Sequence, residues 1–213
     1  MTSAEVIPSA VLACVLFLVS SLLVNRAVRG EWPGLEPGRA VVHAALVFSL
    51  AVMFEVLVNS AHERLFGEKL WEYRVLPVHG GDVSLLAPLV WSAYGLHLYW
   101  LRDSLVRRFG AVGQSGTLQA LLVGIEAPFI FEVVGNLLFI LLLGSFYAWY
   151  VPGDFWHLTS FRVVPVYMIS AWIGFRMLDF IEYRMTRMSR PGQSVLVASF
   201  VITGLFVLYG PGA

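Results

Sequence analysis

Apolar residues run through this chain in six long stretches, at roughly 6–25, 40–62, 84–106, 116–143, 160–182 and 192–210. Each is long enough for about 30 Å of hydrocarbon, which a helix crosses in about 20 residues. Polar residues, Pro and Gly gather between them. Gly30, Pro33, Gly34, Pro37 and Gly38 crowd the first connection, Gly110, Gly113 and Gly116 mark the third, and Pro191-Gly192 opens the last stretch. The pattern predicts an all-α, polytopic membrane protein of about six transmembrane helices, folded as a single domain over 1–213. The first stretch has no basic head, and Asn25-Arg26 follows it as a stop, so it reads as a retained span and not a cleaved signal. The sequence is 58% hydrophobic and 13% charged, against about 25% charged in a soluble domain. The single cysteine, Cys14, excludes an internal disulfide and reads as a buried thiol.

Charge then orients the spans. Arg26, Arg29 and Arg39 follow the first, Arg102, Arg107 and Arg108 the third, and Arg176, Arg184, Arg187 and Arg190 flank the end of the fifth. Together they make up ten of the fourteen Lys and Arg. The positive-inside rule places these connections in the cytoplasm and both termini outside; the expected location is the bacterial cytoplasmic membrane. Connections 63–83 and 144–159 then face outward. Their Trp71, Tyr73, Tyr147, Trp149, Tyr150 and Trp156 suit an interfacial aromatic belt. The formal net charge is zero, so no global field attracts nucleic acid.

Two polar interruptions stand out within the apolar stretches. Phe54-Glu55-Val56 followed by Asn59 returns seventy-seven positions later as Phe131-Glu132-Val133 followed by Asn136. At the same offset Leu65, Gly67, Tyr73, Pro88 and Leu101 meet Leu142, Gly144, Tyr150, Pro165 and Leu178. The expected unit is a helical hairpin, present at about 40–110 and 116–187. Both copies would enter from the cytoplasm, which makes the repeat parallel, with its axis along the membrane normal. Such an axis brings the two Glu to one depth on opposite sides of a central cavity, with the first and last spans peripheral.

An ionisable residue at membrane depth is a functional-site candidate by default. Asn59 and Asn136 stand four residues after their Glu, on the same helix face, where an amide can orient the carboxyl group. In a dry cavity one neutral carboxylic acid can protonate an apolar substrate and its neighbour can take a proton back. Glu55 and Glu132 are therefore the candidate acid and base, with Asn59 and Asn136 orienting them. Trp71, Tyr73, Trp149 and Tyr150 are candidates to cap the cavity and stabilise a carbocation. Gly135 stands where the first copy has Val58, so more room is expected beside Glu132, and a closer approach of substrate there. Two other readings stay open: Glu–Asn pairs that lock helices in a non-catalytic subunit, and proton conduction in a coupled carrier. Glu126-Ala127-Pro128 adds a third carboxyl on another face and a proline able to kink the fourth span.

His43 and His97 lie near the same end of their spans and could ligate a haem or metal if those spans were neighbours. His62, His79 and His157 lie in the outer connections. Neither set has tight ligand spacing, so no metal and no cofactor is expected. Lys69 is the only lysine and lies outside the spans, which excludes a retinal Schiff base; no Walker loop, nucleophile elbow, zincin motif or CxxC is present.

Glu55, Gly67, Tyr73 and Pro88, with their partners in the second copy, make a pattern that resembles the small integral-membrane isoprenoid enzymes. These include carotenoid hydratases, heterodimeric-type lycopene cyclases and membrane-bound terpene cyclases. The pattern covers about half the chain and lacks the Pro-Glu-Glu/Asp signature of the lycopene cyclases. The resemblance implies an acid role for Glu55 or Glu132, a cofactor-independent cyclase, isomerase or hydratase (lyase) reaction, and an isoprenoid or lipid-like partner within the membrane.

Overall fold

The computed structural model describes residues 3–210. Helix ends fall where Pro and Gly stand in the sequence. Following α1 (Ser3–Arg29), α2 (Pro37–Phe66) begins on proline and closes on Gly67 at φ 75°. α3 (Ala87–Arg108) and α7 (Val164–Met185) carry Pro88 and Pro165 in their first turns, where a missing N–H costs nothing. After the short α4 (Gly110–Gln114), α5 (Gly116–Glu126) starts on Ser115, whose Oγ accepts the Leu118 N–H at 3.3 Å. A π turn over Ala127–Glu132 then contains Pro128, and its wider winding takes up the backbone bond that proline removes. α6 (Val133–Leu143) closes on Gly144 at φ 66°. The two closing glycines adopt a backbone in which a side chain costs about 1–2 kcal/mol. α8 (Arg190–Tyr209) ends the described chain.

Glu5–Arg29, Pro37–Phe66, Gly116–Leu143, Phe161–Met185 and Arg190–Tyr209 are long and apolar enough to cross a membrane, which makes this an integral membrane protein. α3 is the exception among the six expected stretches. It is buried along most of its length and carries His97, Arg102, Asp103 and Ser104. His97 bonds Ser21, Ser104 bonds Asn25, and Arg102 and Asp103 pair with Asp179 and Arg29, all on other helices, so these groups lower its apolarity while having partners within the protein.

Five helical columns form a ring. α1 packs on α3, α3 on α2, α2 on α7, α7 on α5, and α6, continuing α5, returns to α1; α8 lies outside the ring against α2. The α2–α3 crossing is close because of Gly95: a Cβ there would stand 2.7 Å from the His43 carbonyl oxygen and 2.8 Å from Ala44 Cα. Two ion pairs join α2 and its flank to α7 and its flank, Arg39–Glu182 at 3.0 Å and Glu68–Arg162 at 3.0 Å. Arg102 of α3 pairs with Asp179 of α7.

Short strands, absent from the expected architecture, cover one end of the ring. β1 (Trp71–Tyr73) pairs antiparallel with β4 (Ala148–Tyr150), in the register Trp71 with Tyr150, Glu72 with Trp149 and Tyr73 with Ala148. β2 (Pro77–Val78) pairs with β3 (Val83–Ser84). The pairing also corrects the aromatic-belt expectation. Side chains alternate along a strand, so Trp71, Tyr73, Ala148 and Tyr150 turn inward and are buried, as is Tyr147 ahead of β4.

Candidate active site

The ring surrounds a partly open cavity of about 100 Å³. Glu55 of α2 and Glu132, at the end of the π turn, both line it. The remaining wall is aromatic and aliphatic: Trp71, Tyr73, Trp91, Tyr94, Tyr150 and Tyr167, with Leu46, Leu50, Phe54, Val123, Phe175 and Leu178 further along. The two carboxyl groups are 5% and 7% exposed, so both depend on protein partners.

Those partners are hydroxyl and indole groups. Glu55 Oε1 accepts from the Tyr73 hydroxyl and from Trp91 Nε1 at 3.1 Å. Its Oε2 is fully buried and has no hydrogen-bond partner among the described residues. Glu132 Oε1 accepts from the Tyr167 hydroxyl, and Tyr150 lines the same cavity close to Glu132. Tyr73 and Tyr150, in the strands outside the spans, have their hydroxyl pKa pushed well above the usual phenol range, first by burial and then by the nearby carboxyl groups. They therefore stay protonated and act as donors at neutral pH. Trp91 and Tyr94 pack on Phe131 at ring separations of 5.3 and 4.1 Å, so the wall between the carboxyls is a continuous π surface.

The expected role of the two asparagines is corrected. Asn59 Oδ1 accepts from the backbone N–H of Leu70 at 2.8 Å and of Trp71 at 3.3 Å, while Nδ2 donates to the Trp71 carbonyl at 2.9 Å and to Asp82 at 2.7 Å. Asn136 does the same one copy later: Oδ1 accepts from Tyr147 N–H at 2.9 Å and Ala148 N–H at 3.0 Å, and Nδ2 donates to the Leu158 carbonyl at 2.7 Å. Both amides reach the strands and leave the carboxyls to the tyrosines. They are anchors of β1 and β4, which deliver Tyr73 and Tyr150 to the cavity.

Trp149 is corrected as well. It occupies the outward position of β4, stacks on His157 at 3.8 Å, and does not line the cavity. Trp71, Tyr73 and Tyr150 do line it. Gly135 lies off the cavity wall, and a Cβ there meets nothing within 4 Å, so the extra room is not beside the Glu132 carboxyl.

Sequence reasoning missed Trp91, Tyr94 and Tyr167 as site residues, and missed a buried polar chain behind Tyr94. The Tyr94 hydroxyl donates to Glu126 Oε2 at 2.7 Å, and Glu126 Oε1 faces His97 Nε2 at 3.2 Å. His97 Nδ1 meets Ser21 Oγ of α1 at 2.8 Å. Asn25 donates to the Ser21 carbonyl at 2.9 Å and accepts from Ser104 Oγ at 2.6 Å. This chain pins α1 onto α3 and the π turn. Ser21→Ala leaves a His97 ring nitrogen unpaired, and should lower stability by about 0.6–1.7 kcal/mol, read as thermal unfolding in detergent. No loss relative to wild type would show that the Ser21–His97 bond is energetically idle.

The remaining histidines each bond to backbone: His43 to the Arg39 carbonyl, His62 to Glu68, His79 to Val207 and His157 to Tyr150. Among the described residues, no three His, Cys, Asp or Glu side chains gather in a way that could hold a metal ion.

Fold and cavity together define a helical membrane protein with two carboxyl groups in an aromatic, lipid-like interior. Comparison of the chain with protein-family models, curated proteins and solved structures finds no match.

Proposed function

We propose that this chain is an integral membrane enzyme that acts on an isoprenoid or similar lipid-like substrate by carboxylate acid/base chemistry. The observation that carries this reading is that Glu55 and Glu132 line one aromatic cavity while Glu55 Oε2 has no hydrogen-bond partner among the described residues. Glu55 delivers its proton from Oε2 to a carbon–carbon double bond. The resulting carbocation rests against the faces of Trp91, Tyr94 and Tyr73. Glu132 then removes a proton from a neighbouring carbon, giving an isomer or a ring, or from a water that has added to the cation. One proton is given and one returned, so the reaction needs no cofactor.

A duplicated hairpin supports the placement of the two Glu. α7 starts and stops seventy-seven positions after α3, Asn136 holds the backbone groups that correspond to those held by Asn59, and β1 meets β4 in a register symmetric about the counterparts Glu72 and Trp149. Arg102 and Asp179, also seventy-seven positions apart, pair at the other end of the ring. An axis along the membrane normal relates the halves. α3 is then the sixth crossing, the strands face outward, and both termini lie outside the bacterial cytoplasmic membrane.

Lipid extracts of cells with and without the protein should differ by an isomer or a water adduct of an isoprenoid, detected by mass spectrometry. Unchanged lipids alongside gradient-driven uptake into sealed vesicles would favour a proton-coupled carrier, which moves its substrate intact.

A further inference from the structure

The cavity does not have equivalent walls. On α3 and α5, Trp91, Tyr94, Leu98 and Val123 are buried; on the outer halves of α2 and α7, Ala51, Phe54, Val166, Tyr167, Ser170 and Ala171 are only half-buried. The ring has two corresponding seams, α3 against the α5–α6 column and α7 against α2. α1 covers the first, with the Phe17 ring 5.3 Å from both His97 and Phe131. Among the described helices none covers the second, because α8 packs on a different part of α2, where Phe48 meets Gly204.

The side chains differ in the same sense. The covered seam is filled by Tyr94, His97 and Glu126. At the corresponding positions the other half has Ala171 and Gly174 on the cavity wall and Ser49, which is buried and off that wall. Three bulky, mutually bonded groups correspond to three small ones. The two helices of the uncovered seam meet at Gly174, where an added Cβ would stand 3.6 Å from Leu50 Cδ1, and they are tied beyond both limits by the Arg39–Glu182 and Glu68–Arg162 ion pairs. Between Gly174 and the outer ion pair the cavity wall is half-buried, with the small Ala51, Ser170 and Ala171 between Phe54 and Tyr167.

Resting on the reading above, we propose that this gap is a lateral window, through which a hydrocarbon chain dissolved in the bilayer enters the cavity. The ligand class follows from the position. The gap lies within the apolar spans, its edges are aliphatic and aromatic apart from Ser170 and the Tyr167 hydroxyl, and a water-soluble molecule would have to cross hydrocarbon to reach it. The two ion pairs bridge the flanking helices beyond either end of the gap and leave the stretch between them without a polar tie. Tyr167 stands at the window edge with its hydroxyl on Glu132, so an entering chain passes the candidate base first and meets Glu55 beyond it.

The test uses the full-length protein in liposomes containing a diazirine-bearing long-chain fatty acid, with photo-adducts mapped by mass spectrometry. Wild type should carry adducts on cavity residues such as Trp91 and Tyr94 as well as on the outer faces of α1 and α8. Ala171→Trp and, independently, Gly174→Leu should lose the cavity adducts and keep the outer ones, which report correct insertion. Cavity adducts that persist in both variants, or that are absent from wild type, overturn the window. The labelling needs no turnover. An inactive Glu55→Gln, Glu132→Gln protein that still labels inside keeps the window whatever becomes of the acid/base reading, and lost cavity labelling with turnover intact removes the window alone.

Discussion

Glu55→Gln should lower turnover by about 10²–10⁴-fold, the usual contribution of a general acid or base, while the protein stays folded. The amide keeps the size of the carboxyl group, and its oxygen can still accept from Tyr73 and from Trp91 Nε1. What is lost is a transferable proton at the buried position of Oε2, the carboxyl oxygen with no hydrogen-bond partner among the described residues. Glu132→Gln should fall in the same range but at its lower end, because the Tyr167 hydroxyl holds that carboxyl from the protein side and Glu132 has no orphaned oxygen among the described residues. This order reverses the one expected from the room beside Gly135, which lies off the cavity wall. If both carboxyls only lock helices, Gln should be nearly silent at each site, and Glu→Leu should cost about 0.6–2 kcal/mol of stability. Product formation measured by mass spectrometry, together with unfolding in detergent, separates the two roles. Full activity in both single Gln variants and in the double variant would end the acid/base reading.

Asn59→Ala and Asn136→Ala should be the most destabilising single changes, because each strands two buried backbone N–H groups and a carbonyl. An orphaned buried donor costs about 1–3 kcal/mol, so each variant should unfold well below wild type. The strand that carries Tyr73 or Tyr150 should loosen first, visible as faster amide exchange over 70–73 or 147–150. An asparagine that merely oriented a carboxyl would show the opposite pattern, with turnover reduced, stability kept and exchange unchanged. Wild-type exchange in both strands would remove the anchoring role.

The fold was legible where single residues act alone on the backbone. Pro37, Pro88, Pro165 and Pro191 each sit in the first turn of a helix, and Gly67 and Gly144, matched in the repeat, close helices in the left-handed region. Glu55 and Glu132 were legible because charge in hydrocarbon is costly enough to demand a reason. Their partners were not. Trp91 lies 36 residues from Glu55 and Tyr167 lies 35 from Glu132, each on a neighbouring helix, and no local pattern distinguishes these rings from other apolar aromatics. The strands are three residues long or shorter, too short for an alternating pattern to register. Their aromatics therefore read as an interfacial belt, and Trp149 was indistinguishable from Tyr150 although the pleat sends the two in opposite directions. The asparagines misled because spacing on a helix shows which side chains are near one another, and says nothing of a better partner arriving from a distant loop.

The register of β1 on β4 carries one more consequence. Only the central pair, Glu72 and Trp149, joins positions seventy-seven apart; Trp71 faces Tyr150 and Tyr73 faces Ala148, the exchange that two identical subunits would make across a dyad. In a homodimer every substitution occurs twice, so a group that filled one seam would fill both, and the interior would be either shut on two sides or open on two. With both halves on one polypeptide, Tyr94, His97 and Glu126 can close one side while Ala171 and Gly174 leave the other free. Covalent continuity thus permits what symmetric assembly withholds: under the proposed lateral entry, one direction of approach, and two carboxyl groups that a long substrate would meet in a fixed order.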